Sequence, residues 1–424
     1  MSTIVVKRQR IVAAVVALLV IASLIVTHSS NPKITNDLIS SVKAYTENVP
    51  GFSNPRPEEI DQTDASAFLG DTSEIDPLEP RPAVNYDDED KETVQPGPVL
   101  SGEAYPDPET FPEMPPKTYP KVDSLKEVKF SEKLPFRIYS HNIKNGGNHK
   151  LELGEPEWET RKAMVVASIR AHVVPNTVVA LQEAQKFQID DILESLNLLE
   201  EPGYQWKSYG AGRIDGKSMG EHVPLLVRED EFDVVYDDTF WLNEKNQRRP
   251  LVGWDAKYPR SATFVTLKHK KTGAYFNVFN THFDHKGSGA RVASVQLLME
   301  RMEKLNEWPS FLCGDFNARP NEDCYKEIKQ KYTDVHSITS PYNWYGHPDF
   351  SVTGFTGNYL KDAKRIDYIF APKSVLKASG KLCSKKDENL SLQLRGYGML
   401  HSKFGGVYMS DHRPLMADFV LKKC

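Results

Sequence analysis

Cysteine is scarce in this chain: its 424 residues hold four, at positions 313, 324, 383 and 424. So few thiols exclude a small fold held together by disulfides. No internal repeat is present, which excludes a solenoid or a propeller. Long apolar runs are missing from all but one place, residues 11–26 ("IVAAVVALLVIASLIV"), where Ser23 is the single polar member. Behind that run there is no good small-x-small processing site, Thr27-x-Ser29 being the nearest approach. That lack favours an uncleaved anchor over a cleaved signal peptide. A large charge of either sign is also absent, the formal net charge being −5.

What is present is unevenly distributed. Lys7, Arg8 and Arg10 precede the apolar run, so residues 1–10 read as a short cytoplasmic tail and 11–27 as a transmembrane signal anchor or signal peptide. Residues 28–119 read as a disordered acidic stalk, because positions 31–119 hold 14 of the 28 prolines and six basic against nineteen acidic residues. Such a composition buries too little apolar surface to offset the entropy of ordering. The remainder, 120–424, carries 44 basic and 39 acidic residues. This mildly basic part permits a phosphate substrate without requiring one. The chain is thus expected to be a single-pass membrane protein with a luminal or extracellular domain, or a secreted one if the segment is cleaved, and to act as a monomer. "NLS" at 389–391 is a glycosylation acceptor that fits export. Cys313 reads as a buried thiol; Cys324 and Cys383 could pair in an exported domain, although connectivity is not readable.

Within 120–424 a series of apolar, β-rich runs each finishes on polar residues. "PFRIYSHN" ends on Asn142, "NTVVALQEA" delivers Gln182 and Glu183, and the hairpin "ATFVTLKHKKTGAYFNVFNTH" ends at His282. "SFLCGDFN" brings Asp315 and Asn317, "KRIDYIFAP" carries Asp367, and "VYMSDHRPLM" sets Asp411 and His412 before a last strand. Residues 157–172 have the length and helix formers of an amphipathic helix. One polar strand end is ordinarily a turn cap. Six of them suggest strands laid side by side whose ends meet on one rim. Positions i and i+2 of an extended segment share a side, so Asp315 and Asn317 would address one ligand while Phe316 turns into the core. Gly314 would leave room for the backbone to depart sharply. A carboxylate and an amide oxygen are hard ligands suited to Mg²⁺.

"SHNIKNGG", "ALQEA", "NTHFDH", "CGDFNARP", "RIDYIF" and "MSDHRP" resemble, in this order, the signature segments of the endonuclease/exonuclease/phosphatase superfamily, to which deoxyribonuclease I and the deadenylases belong. The resemblance covers about residues 135–421. It implies an α+β fold, a four-layered α/β/β/α sandwich of two mixed β-sheets packed face to face with flanking helices. "GAGRIDGKSMGEHVPLLV", "FWLNE" and "GWDAKYPRSATF" are similar to an exported bacterial and fungal subgroup whose members often carry only a generic phosphoesterase label.

Carried over residue by residue, the resemblance implies a divalent metal, Mg²⁺ or Mn²⁺, at Glu183 with Asn142 close by and Asp411 beside it. Asp315 and Asn317 would contact the scissile phosphate and its attacking water. His412, partnered by Asp367, would bind a phosphate oxygen or move a proton, and Glu221 would orient His282. Arg260 fits a phosphate contact. Asp284 and Arg291 read as a turn brace and a helix-face charge. Trp241, Trp254, Trp344 and Tyr209, placed in connecting segments, could line a cleft. A phosphodiester repels hydroxide, so its hydrolysis needs a cation, a base and a proton for the leaving oxygen. The two imidazoles can protonate a poor leaving group, which favours phosphodiesters over monoesters. The expected activity is metal-dependent phosphoester hydrolysis; a 3′–5′ exoribonuclease, or a phosphomonoesterase on lipid or sugar phosphates, remains open, as does the choice among nucleic acid, phospholipid and phosphorylated glycan. A non-catalytic module on the same fold would show losses among these residues, and none is seen. A glycosidase with paired carboxylates would need neither the asparagines nor the histidines.

Overall fold

The structure is a computed structural model. It describes residues 113–424 apart from 120, 129, 131, 148, 357–362, 378–382 and 384–389. All of these belong to the compact unit Glu92–Cys424. The apolar run, most of the acidic stalk and Asn389 lie outside the described residues. Among the described residues no helix is long and apolar enough to cross a membrane.

The strands in chain order are β1 (Leu134–Asn142), β2 (Thr177–Gln182), β3 (Trp206–Tyr209), β4 (Leu225–Arg228), β5 (Phe232–Trp241), β6 (Ser261–His269), β7 (Tyr275–His282) and β8 (Ser310–Asp315). There follow β9 (Tyr332–Asp334), β10 (Trp344–Gly346), β11 (Asp367–Pro372), β12 (Leu376–Lys377), β13 (Leu390–Met399), β14 (Lys403–Phe404), β15 (Val407–Tyr408) and β16 (Leu415–Lys423). One sheet runs β10-β13-β16-β1-β2-β4-β3 with β12 beside β13; the other runs β5-β6-β7-β8-β11-β9, and β14 pairs with β15 alone. Both large sheets are mixed: β1 is parallel to β2 and antiparallel to β16, and β7 is parallel to β8, which is antiparallel to β11. The helices are α1 (Trp158–His172), α2 (Lys186–Asn197), α3 (Ser288–Leu305) and the short α4 (Asp323–Ile328). Gln185 and Gln188 close a reciprocal cap at the start of α2, satisfying backbone donors that the first turn leaves free.

Alternation along the strands builds three apolar layers. Phe136, Ile138, Val178, Phe276, Val278, Phe311 and Phe419 point between the sheets. Their neighbours point outward: Tyr139, Val179 and Leu181 meet Val165, Ile169 and Ile192 of α1 and α2, and Phe264, Phe279 and Leu312 meet Val295, Leu298 and Ile328 of α3 and α4. These are the interfaces of the four-layered sandwich that the sequence implied. Phe136 stacks on Phe276 at 4.5 Å and on Phe419 at 5.3 Å, and burying each such ring stabilises the fold by about 2–3 kcal/mol. Near the end of the inter-sheet layer Gln182 donates to Asn280 Oδ1 (2.7 Å), while Asn280 Nδ2 donates to the carbonyls of Leu181 (2.7 Å) and Pro224 (2.9 Å). This amide bridge ties one sheet to the other just below the rim.

The folded part takes in residues before 120 as well. Met114 N donates to Arg248 O at 2.9 Å, Lys117 Nζ to Asp237 O at 2.6 Å, and Tyr119 packs edge-on against Tyr236 at 5.2 Å. The cysteines also differ from expectation. Cys383 is bonded to Cys424, not to Cys324, which lies on the buried face of α4 in the outer apolar layer, and Cys313 is the buried thiol foreseen.

His141 is 1% exposed, and burial pushes its imidazole down to about 3. The unfolded chain therefore binds one more proton than the folded chain between about pH 6.5 and pH 3. The His141 contribution to stability should fall by about 1.4 kcal/mol per pH unit as the pH drops below 6.5; His222 and His269, lowered likewise by burial, act in the same direction, and Asp315, whose carboxyl is pushed up to about 7, acts against them. Chemical denaturation between pH 7.5 and 5 should show the wild type losing stability relative to His141→Gln as the pH falls.

Candidate active site

The strand directions explain why the polar ends converge. The carboxyl ends of β1, β2, β7 and β8 and the amino ends of β11 and β16 lie on the same rim. Asn142, His282, Asp315 and Asp367 occupy the same parity as the inward-facing core residues of their strands, so their side chains enter the gap between the sheets. Register places His282 opposite Asp315, and Asp315 opposite Asp367. Gly314 is required by this packing: its φ is 140°, and a Cβ there would lie 2.0 Å from the carbonyl oxygen of Thr281 on β7. The glycine thus serves a close strand approach, not the backbone departure read from the sequence.

Three site residues are held in the left-handed region, Lys144 at φ 56°, Glu183 at φ 59° and Asn317 at φ 48°. Such conformations cost about 1–3 kcal/mol and persist where surrounding contacts enforce them. Asn317 reaches the site through a tight turn in which its N–H donates to Asp315 Oδ1 (2.8 Å), not through the extended i, i+2 spacing expected. Phe316 between them is fully buried in the core, as foreseen.

Ligand atoms of Glu183, Asp315 and His412 lie within 4.8 Å of one another, a spacing that could hold a metal ion. Asn142 Nδ2 donates to Glu183 Oε1 (2.9 Å) and Asp315 Oδ2 (3.0 Å), and its Oδ1 accepts from Lys144 N (3.0 Å). The amide therefore turns its nitrogen to the carboxylates, positioning them instead of offering the oxygen ligand expected of it. Asp411, expected beside the metal, lies with its Oδ2 3.6 Å from Lys144 Nζ and raises the pKa of the neighbouring His412. Glu183 is held well below the usual carboxylate range, despite burial, by Lys144 nearby and by the Asn142 hydrogen bond. Burial, then the neighbouring Asp367, pushes Asp315 up to about 7. The carboxylate oxygens of Glu183 and Asp315, crowded together beside His412, fit a hard divalent ion such as Mg²⁺ or Mn²⁺.

The two histidines differ in protonation. His412 Nδ1 bonds Asp367 Oδ2 at 2.8 Å; burial opposes its charge, but Asp367 and Asp411 push its pKa up to about 10. Asn317 Nδ2 donates to Phe283 O (3.0 Å), which fixes its amide, and approaches His282 Nε2 at 2.9 Å. His282 Nε2 must then accept and the proton sits on Nδ1. Burial and the Arg260 guanidinium hold His282 well below its ordinary value. A neutral and a charged imidazole thus flank Asp315 Oδ2 at 3.7 and 3.8 Å, an arrangement that separates base from acid.

The expected hydrogen bond between Glu221 and His282 is not made: the separation is 3.9 Å, and Glu221 pairs with Arg213 at 2.7 Å. Arg260 lines the same wall, 6% exposed. Asp284 is the turn brace foreseen, accepting from Lys286 and Gly287 N–H at 2.9 Å. Arg291 is buried and spans Asp284 O (3.0 Å) and Glu322 (2.7 Å), so it is no surface charge. Trp241, Trp344 and Tyr209 belong to β5, β10 and β3, and Trp241 is fully buried; Trp254 remains in a connection, partly exposed. Sequence reasoning assigned no role to Lys144, Arg213 or Arg161. Arg161, fully buried on α1, donates to the carbonyls of Ile143, Lys144 (2.9 Å) and Met409 (3.1 Å), so it ties the loop after β1 to the segment before Asp411.

A two-sheet sandwich with carboxylates, carboxamides and paired imidazoles on one rim defines a class of phosphoesterases. The chain belongs to the Endonuclease/Exonuclease/phosphatase family, whose sequence profile matches residues 139–412. Among curated proteins it is similar to the CCR4-Not complex 3'-5'-exoribonuclease subunit Ccr4 of Aspergillus niger, 23% identical over 328 residues that cover 62% of this chain and 48% of that one. It is similar also to Homo sapiens nocturnin, 24% identical over 275 residues, 62% of this chain and 58% of that one. The chain thus spans about half the length of the curated relatives it matches. Among solved structures, the endonuclease/exonuclease/phosphatase from Bacteroides vulgatus is 28% identical with a TM-score of 0.56, over 68% of this chain and 98% of that one. The Bacteroides thetaiotaomicron mannosyl-6-phosphatase is 28% identical with a TM-score of 0.55, over 67% and 99%.

Proposed function

We propose that this chain is a divalent-metal-dependent phosphoesterase that hydrolyses its substrate by in-line attack of water. The observation that carries the reading is the gathering of Glu183, Asp315 and His412 within 4.8 Å, with a neutral His282 on one side. Glu183 and Asp315 would hold the metal, which when bound offsets phosphate charge and lowers the pKa of water. Asp315 orients and deprotonates the attacking water, with the neutral His282 ring beside it. Asn317 fixes the His282 ring and Asn142 fixes both carboxylates. His412, kept protonated by Asp367, delivers a proton to the leaving oxygen. Lys144 adds a fixed positive charge at the floor of the site.

The expectation of a diester preference rests on proton delivery to a poor leaving group. A protonated His412 serves diester and monoester leaving groups alike, so these residues do not choose between them. An exported location suits the Cys383–Cys424 bond, since disulfides persist in oxidising compartments. The mannosyl-6-phosphatase is 28% identical to this chain, against 23% for Ccr4 and 24% for nocturnin, which supports a phosphorylated glycan over messenger RNA. Assayed on chromogenic phosphate esters, the full chain should lose at least 95% of its activity in EDTA, as an order-of-magnitude expectation, and regain it with Mg²⁺ or Mn²⁺. Activity that survives chelation would overturn the reading.

A further inference from the structure

The wall beside His282 holds four donors without a hydrogen-bond partner: Arg213 Nε, Arg260 Nε, Arg260 Nη1 and His282 Nδ1. Arg260 and His282 are each 6% exposed. Buried donors in native proteins are nearly always paired, so a cluster of orphans at one place points to a ligand. They surround a small concavity lined by Arg213, Glu221, His222, Arg260, Ser261 and His282. Glu221 cannot satisfy them all. Its Oε2 is 2.7 Å from Arg213 Nη1 but 4.0 Å from Arg260 Nη1 and 3.9 Å from His282 Nδ1. Asp284 Oδ2 stands 3.6 Å from Arg260 Nε, and Asp284 is already engaged by backbone N–H groups.

The loop that presents Arg213 is fixed in advance. Trp241 Nε1 donates to Arg213 O at 2.7 Å, and Asp215 Oδ1 accepts from the N–H groups of Lys217 (2.8 Å) and Met219 (2.9 Å). Met114 and Trp241 both pack against Gly216. A guanidinium held this way loses little freedom on meeting an oxyanion, and its planar fork matches two phosphate oxygens.

We propose that Arg213 and Arg260 form a pocket for the non-bridging oxygens of a terminal phosphate, so that the site prefers phosphomonoester dianions to diesters, with Arg213 setting that preference. This rests on the phosphoesterase reading above and replaces the diester preference read from the sequence. A phosphomonoester carries about −1.5 to −2 charges near pH 7, whereas a diester carries one. The second substituent of a diester would also lie against unpaired guanidinium donors, and an unmet buried donor rejects a ligand more strongly than a lost apolar contact does.

The test compares kcat/KM of the Mg²⁺-loaded full chain on 4-nitrophenyl phosphate and bis(4-nitrophenyl) phosphate. The wild type should favour the monoester, and Arg213→Gln should lower the monoester-to-diester ratio at least tenfold, with Arg213→Lys in between and melting temperatures alike. A wild type that favours the diester, or a ratio unchanged by Arg213→Gln, overturns the proposal. Calorimetric titration with inorganic phosphate in EDTA gives a readout free of catalysis: affinity should drop at least tenfold in Arg213→Gln, and equal affinity overturns the pocket. If the wild type hydrolyses neither ester, the phosphoesterase reading falls while the phosphate titration still decides the pocket.

Discussion

Asp315→Asn should reduce kcat/KM by about 10³-fold or more while leaving the fold intact. The carboxylate stands where three demands meet: a metal-ligand position with Glu183, and a place 3.7 and 3.8 Å from the two histidines. An amide of the same shape keeps an oxygen for the N–H of Asn317 but loses the charge. Stability should move the other way. The unfolded carboxyl ionises near 3.8 and the folded one near 7, so between these values the folded state holds the extra proton and raising the pH costs stability. In metal-free buffer at pH 8 the variant should therefore melt at or above the wild-type temperature. Loss of activity together with a lowered melting temperature would show that Asp315 is a structural residue.

That opposition between activity and stability also marks what was legible in the sequence. A strand that ends on a charged or amide side chain conflicts locally with burial, and Asn142, Glu183, His282, Asp315 and Asp367 were visible for that reason. The inter-sheet core also follows strand alternation, with Phe136, Ile138, Phe276 and Val278 on one face of their strands. The geometry past the last strand residue was not legible. Asn317 and Glu183 enter through left-handed turns, which a period-2 reading cannot foresee. The orientation of the Asn142 amide is decided by Lys144 N–H, a contact two residues beyond the pattern. Arg161, Lys144 and Arg213 stayed hidden because a long cationic side chain on a helix or loop reads as solvated. Only the fold shows that Arg161 is enclosed by backbone carbonyls and that Arg213 faces a wall of orphaned donors. Glu221 was placed on the correct rim, but its preference for Arg213 over His282 depends on that same loop.

Asp367→Asn should lower kcat by about 10²–10⁴-fold, and it tests the proton inventory directly. Asp367 Oδ2 accepts from His412 Nδ1 at 2.8 Å, which leaves Nε2 toward Asp315 and the reacting group. The same carboxylate is the main influence raising the His412 pKa to about 10 against the opposing effect of burial. An asparagine cannot stabilise the imidazolium, and if its amide nitrogen turns to Nδ1 it selects the wrong tautomer. The protonated fraction then collapses at neutral pH, so the alkaline limb of the kcat/KM profile should move to lower pH as the maximum falls. His412→Gln should lose a similar factor, and the double variant little more, because both changes disable one proton donor. A profile whose alkaline limb stays in place, or losses that multiply in the double variant, would mean that Asp367 supports the strand and not the proton.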